Sequence, residues 1–245
     1  MSGKPEIAFA PHVVERTSPG EKIALVQKFA LFSDISPADC ATIIAGGREK
    51  RLFRRQNLFS AGDPVEQVFL LLSGSAKVTQ VGFKGSEVIL RLNGVGDLVG
   101  IFGLWPDCKH NSSAQAVQPC TALVWDSSTF AKLLENFTLL RRNTVRALEE
   151  RMQELEQRFR EISTEDVPSR LSSELIRLSS RFGYGSDGNG EIRLSHTDLA
   201  QLTGTTLSTV SRLLSRWQKL GIVSVGREGI QVHNLTALMQ FSQSE

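Results

Sequence analysis

Cysteine is scarce: Cys40, Cys108 and Cys120 are the only three in 245 residues, and no two form a C-x-x-C pair. That count and spacing exclude a four-cysteine zinc or iron–sulfur site and argue against a disulfide framework. A reducing cytoplasm is the expected setting. Long apolar runs are missing as well. No stretch approaches the ~18 uninterrupted apolar residues of a membrane span. The first twenty residues carry Lys4, Pro5, Glu6, Pro11, Glu15, Arg16 and Pro19 where a signal peptide would need an apolar core, so residues 1–21 read as a mobile arm. Strong net charge is also absent. With a formal charge of +2, a nucleic-acid surface has to be found locally, since the total does not argue for one.

What is present falls into three stretches of different periodicity. From Leu52 to Trp125, short apolar runs such as Val68-Phe69-Leu70-Leu71-Leu72 and Val88-Ile89-Leu90 are punctuated by Gly74, Gly82, Gly85, Gly94 and Gly96. Short strands with glycine turns predict a sandwich or small barrel. A short helix is expected before it, because Ser36 can cap and Pro37 can open a segment leading into Cys40, Ile43 and Ile44.

Glycine then vanishes, and apolar residues recur at Val145, Leu148, Met152, Leu155, Phe159 and Ile162 between charged flanks such as Glu149, Arg151, Glu154 and Arg158. Intervals of three and four in strict alternation predict a narrow helix–helix seam between two copies. An amphipathic helix lying on its own domain would show a wider stripe. Pro168 ends or interrupts this helix, with residues 164–167 as a hinge.

The most specific signal lies at residues 195–220. Ser195 and Asp198 form a capping-box variant, so a helix starts at His196 with Leu199, Ala200 and Leu202 on its apolar face. Gly204 can take a positive φ and Thr206 can cap a second helix whose buried side is Leu207, Val210, Leu213, Leu214 and Trp217. Two short helices joined by a glycine turn, with small Ala200 at the crossing, predict a helix-turn-helix. Its open face offers Thr205, Thr206, Ser208, Thr209, Ser211, Arg212 and Arg216, and from Thr205 to Arg227 there are four basic residues and no acidic one. Short hydroxyl side chains can approach base edges, an arginine can take guanine in bidentate fashion, and later cations can sit on phosphates. Residues 222–225 and 230–232 flank Gly226-Arg227-Glu228-Gly229 as a β-hairpin wing that places Arg227 on the DNA backbone.

Barrel, long seam helix and winged helix-turn-helix in that order resemble the CRP/FNR superfamily, the cyclic-AMP receptor protein-like regulators, over about residues 25–240. The resemblance is carried by Gly85-Ser86-Glu87-Val88-Ile89-Leu90 with residues 96–104, Gly-Asp-Leu-Val-Gly-Ile-Phe-Gly-Leu, and by residues 202–214, Leu-Thr-Gly-Thr-Thr-Leu-Ser-Thr-Val-Ser-Arg-Leu-Leu. It implies an α+β chain: an arm (1–21), a double-stranded β-helix or jelly-roll sensory domain (22–137), a dimerisation helix (138–164) and a winged helix-turn-helix (165–245).

By the same resemblance, the chain is a cytoplasmic, homodimeric, effector-responsive regulator that reads a pseudopalindrome in double-stranded DNA and meets RNA polymerase. The implied effector pocket is Gly100, Ile101, Phe102, Gly103, Leu104, Ser112, Ser113 and Leu155. Cyclic-AMP binders of the family carry a glutamate and an arginine where Ile101 and Ser112 stand here, so an effector other than cyclic AMP is expected, since a buried phosphate needs a cation. Ser211 and Arg212 match the fumarate-nitrate branch, whereas its base-reading acid is replaced by Ser208. Cys108-x-His110 invites comparison with relatives that hold haem in the sensory domain, against a reading as two surface loop residues. The alternatives left open are a constitutively active regulator with a ligand-free barrel and a haem or gas sensor. A metal-dependent enzyme on the same barrel is disfavoured because, of four histidines, only His110 lies near it.

Overall fold

The computed structural model describes residues 18–102, 107–182, 191–226 and 229–242. Ser18 caps helix α1 (Pro19–Val26) through a complete capping box with Glu21. Helical structure therefore begins inside the stretch read as an arm, because a local cap with proline at the first position is sufficient to start it. A 3₁₀ turn (Ala30–Phe32) and α2 (Pro37–Ala45) follow, the latter capped by Ser36 as expected.

Strands β1 (Arg48–Leu52), β2 (Asn57–Phe59), β3 (Gln67–Ser73), β4 (Ala76–Val81), β5 (Glu87–Asn93), β6 (Leu98–Val99), β7 (Ser113–Ala116) and β8 (Cys120–Asp126) form two antiparallel four-stranded sheets. Their orders are β1-β8-β3-β6 and β2-β7-β4-β5. Alternation along β3 divides its side chains between two cores. Phe69 and Leu71 enter the space between the sheets with Ala76, Val78 and Val124, while Val68 and Leu70 face outward. The outward face is covered by α1, α2, helix α3 (Ser127–Asn136) and the start of helix α4 (Thr138–Thr164). Trp125 is fully buried there, its indole N–H donating to the Ile43 carbonyl at 2.9 Å.

After α4 the chain passes Glu165 in extended conformation and re-enters helix as α5 (Val167–Phe182), where the Asp166 carboxylate accepts from the Ser169 amide at 2.9 Å. Pro168 thus sits in the first turn of a new helix, where it is tolerated. Strand β9 (Glu191–Ile192), α6 (His196–Thr203), α7 (Leu207–Lys219), β10 (Val223–Val225), β11 (Ile230–Val232) and α8 (Leu235–Ser242) complete the chain, with sheet order β10-β11-β9. Their core of Leu171, Leu175, Leu199, Val210, Leu214 and Trp217 also takes in Ile89 and Leu92 from β5. Barrel and C-terminal region therefore share apolar contact. Gly94 permits close approach there, since a Cβ on it would lie 2.8 Å from the Phe182 ring. Among the described residues no helix is long and apolar enough to cross a membrane, and no group of three side chains could hold a metal ion.

Candidate nucleic-acid interface and effector chamber

The helix-turn-helix is built by local chemistry. The Ser195 hydroxyl accepts from the Asp198 amide and the Asp198 carboxylate accepts from the Ser195 amide, both at 3.1 Å, which fixes the start of α6. Asp198 also meets Lys77 of β4 at 2.8 Å; burial pushes its carboxyl up, but bonds from Lys77 and Ser195 hold it below its ordinary value. Gly204 closes α6 at φ 62°, ψ 42°. Thr206 then caps α7, its hydroxyl accepting from the Thr209 amide at 3.2 Å.

Val210, Leu213, Leu214 and Trp217 are buried, which leaves Ser208, Arg212, Ser215, Arg216 and Lys219 on the open face of α7. Two sequence readings change. Leu207, expected on the buried side, is 50% exposed. Ser211 is half-buried, with its hydroxyl 3.0 Å from His196 Nδ1, so it ties α7 to α6 at the flank of the open face. Arg227 at the wing tip lies outside the described residues.

Helix α4 inverts the usual amphipathic arrangement. Beyond Leu140 and Leu148, which pack into the helical cover, its face toward the rest of the chain is polar. Asn143 donates to the carbonyls of Leu31 and Ser33, and Arg158 donates to Leu90 O at 2.7 Å and Leu202 O at 2.8 Å. Glu161 takes a two-pronged contact from Arg177 at 2.7 and 2.8 Å. The opposite face is apolar and open, with Val145, Met152, Leu155, Phe159 and Ile162 between 47% and 73% exposed; Leu148 alone of the seam is half-buried and leans on the barrel's helical cover.

The profile of the cyclic nucleotide-binding domain matches residues 49–137, and that of the Crp-like helix-turn-helix domain matches residues 169–241. The anaerobic regulatory protein of Pasteurella multocida is 30% identical over 197 residues, 80% of this chain and 72% of its own length. The fumarate and nitrate reduction regulatory protein of Escherichia coli is 30% identical over 197 residues, 80% of this chain and 78% of its own. The chain belongs to the CRP/FNR family of transcription regulators.

Solved structures agree on the CRP/FNR fold. FixK2 of Bradyrhizobium japonicum superposes with TM-score 0.70 at 19% identity, covering 81% of this chain and 98% of that one. The c-di-GMP responsive regulator CLP of Xanthomonas campestris superposes with TM-score 0.67 at 19% identity, covering 81% and 100%. As a CRP/FNR protein the chain is a DNA-binding transcription regulator with a helix-turn-helix, not an enzyme.

The described residues among those that the CRP/FNR pattern assigns to an effector pocket lie in different surroundings. Ile101 is buried in the apolar cluster beneath the helical cover, away from the space between the sheets. Gly100, at φ 84°, packs with its Cα side against the Gln67 carbonyl. Ser112 is buried, the Ser113 hydroxyl is engaged by the Ala61 amide at 3.0 Å, and Leu155 lies on the open face of α4. Gly103 and Leu104 fall outside the described residues. Phe102 is half-exposed and carries the Arg91 guanidinium 5.0 Å from its ring centre.

His110 is no surface loop residue. It is 7% exposed and stacked on Phe59 with 3.6 Å between ring centres, and burial lowers its pKa. Arg91 of β5 lies over the Phe102 ring, and Arg151 of α4 donates to the Leu98 carbonyl.

Proposed function

We propose that this regulator works as a homodimer on a pseudopalindromic DNA site, with activity set by a small effector bound at the barrel. The observation that carries the reading is the α4 surface, where five large apolar side chains stand open at a/d spacing while the polar positions are committed to the rest of the same chain. Pairing two such faces removes the stripe from water and sets two α7 helices as a symmetric pair. Thr205, Thr206, Ser208, Thr209 and Arg212 then face base edges, with Ser211 holding α7 to α6 beside them, while Arg216 and Arg227 take phosphates. Residues 22–137 act as the sensory unit, 138–164 as the dimer helix and 165–245 as the DNA reader, in the cytoplasm and in contact with RNA polymerase.

Selection from a randomised duplex library by the full chain tests this. The expected product is a two-fold symmetric consensus with half-sites about one helical turn apart. Arg212→Ala should lose about 1–3 kcal/mol of discrimination at one base pair per half-site while still binding DNA through phosphates. An asymmetric consensus, or one unchanged by Arg212→Ala, would contradict the reading.

A further inference from the structure

At the start of α7 three hydroxyls meet at one atom. Thr206, the capping residue, accepts from the Thr209 amide at 3.2 Å. Its oxygen also lies 2.9 Å from Ser208 Oγ and 2.9 Å from Thr209 Oγ1. Thr206 and Ser208 are exposed and Thr209 is half-buried, so the three stand on or beside the open face of the helix. Ser211, the next hydroxyl along, is turned aside to His196. No acidic residue occurs from Thr205 to Arg227, so this face carries no carboxylate to serve as an acceptor alone.

The capping bond fixes a proton count. A hydroxyl has one proton and two lone pairs. The Thr209 amide takes one lone pair of Thr206, which leaves one lone pair and one proton for two hydroxyl neighbours. One neighbour therefore donates to Thr206 and the other accepts from it. The neighbour that donates has spent its only proton and presents lone pairs alone, while the neighbour that accepts keeps its proton. Towards a ligand, Ser208 and Thr209 together hold one free proton, not two. Desolvation in a DNA groove makes that count decisive, because water no longer fills the missing role.

We propose that Thr206, Ser208 and Thr209 form one specificity-determining unit that reads adenine and rejects guanine at one base pair of each half-site. Ser208 and Thr209 present one donor and one acceptor side by side, as an Asn or Gln amide does to adenine N7 and N6. Guanine N7 and O6 are both acceptors, and one of them would face a hydroxyl with no proton to give. Thr206 is the positioning residue, since it sets the roles of the other two. The unit supplies the acceptor that a carboxylate would otherwise bring, without a negative charge beside the phosphates. The inference deepens the proposed DNA reading and rests on α7 facing the bases.

The test titrates the full chain, by fluorescence anisotropy, with duplexes of the selected consensus carrying adenine or guanine at each position in turn. At one pair per half-site, distinct from the pair that Arg212→Ala affects, adenine should bind about tenfold or more tighter than guanine. Replacing that adenine by 7-deazaadenine or by purine, which lack N7 and the amino group respectively, should weaken binding in each case. Thr206→Ser keeps the cap and the shared hydroxyl and should keep the preference. Thr206→Gly retains a comparable cap but frees both protons, so the adenine-to-guanine ratio should fall to about twofold or below. Loss of helix stability alone would weaken both duplexes alike and leave that ratio unchanged.

A symmetric, Arg212-dependent consensus with no such adenine position, or with a preference that Thr206→Gly leaves intact, would overturn this inference alone. An asymmetric consensus, or one indifferent to Arg212→Ala, would overturn the underlying reading and this inference with it.

Discussion

Gly204 occupies the left-handed region of backbone space, where any Cβ is strained, and it does so at the corner that orients α7 on α6. A Cβ there would meet only Ile162 at 3.8 Å, ordinary contact distance, so the whole cost of substitution is conformational. Gly204→Ala should therefore destabilise by about 1–2 kcal/mol. Thermal or urea unfolding would show it, and a wild-type midpoint would contradict the turn geometry. This corner was readable from the sequence because Ser195, Asp198, Gly204 and Thr206 act on backbone groups within a few residues. Leu207 was not, although it fits the apolar spacing. A first-turn side chain leans back over the preceding turn, and that turn, Gly204 to Thr206, offers it no large apolar neighbour.

Along α4 the seam was legible as periodicity, whereas the opposite face was not. Arg158 reads as a charged flank, yet it is 7% exposed because its guanidinium bonds the carbonyls of Leu90 and Leu202, groups 68 and 44 residues away. Sequence spacing carries no record of such backbone acceptors. The same holds for Glu161, which sits between α4 and α5. Burial pushes its carboxyl up, but bonds from Arg177 and Gln157 hold it below its ordinary 4.5.

A pKa lowered by folding gives stability that is present above the unfolded value and is lost as pH falls through the folded one. Melting temperature should fall on acidification below about 4.5, and Glu161→Gln should show a shallower fall after losing roughly 1–3 kcal/mol at neutral pH. Parallel pH profiles for the two proteins would refute a role for this contact.

At the scale of the whole molecule, barrel and DNA reader are joined through shared apolar packing at Ile89 and Leu92, through Lys77 to Asp198, and through Arg158. Arg158 of α4 thus bonds β5 and α6 at once. Fold class and element order were legible in the sequence because they are written in periodicity. The burial of Ile101 in the helical cover was not, because its neighbours come from segments distant in sequence. Helix α4, 27 residues and ~40 Å long, is the element through which two chains would meet.

The mass of the complex with a selected duplex, measured by light scattering beside Phe159→Glu, tests that claim most directly. Two wild-type chains per duplex are predicted, while Phe159→Glu, which places like charges face to face at the most exposed seam position, should stay monomeric and lose the symmetric site. One wild-type chain per duplex, or an unaltered two-chain complex with Phe159→Glu, would contradict the account.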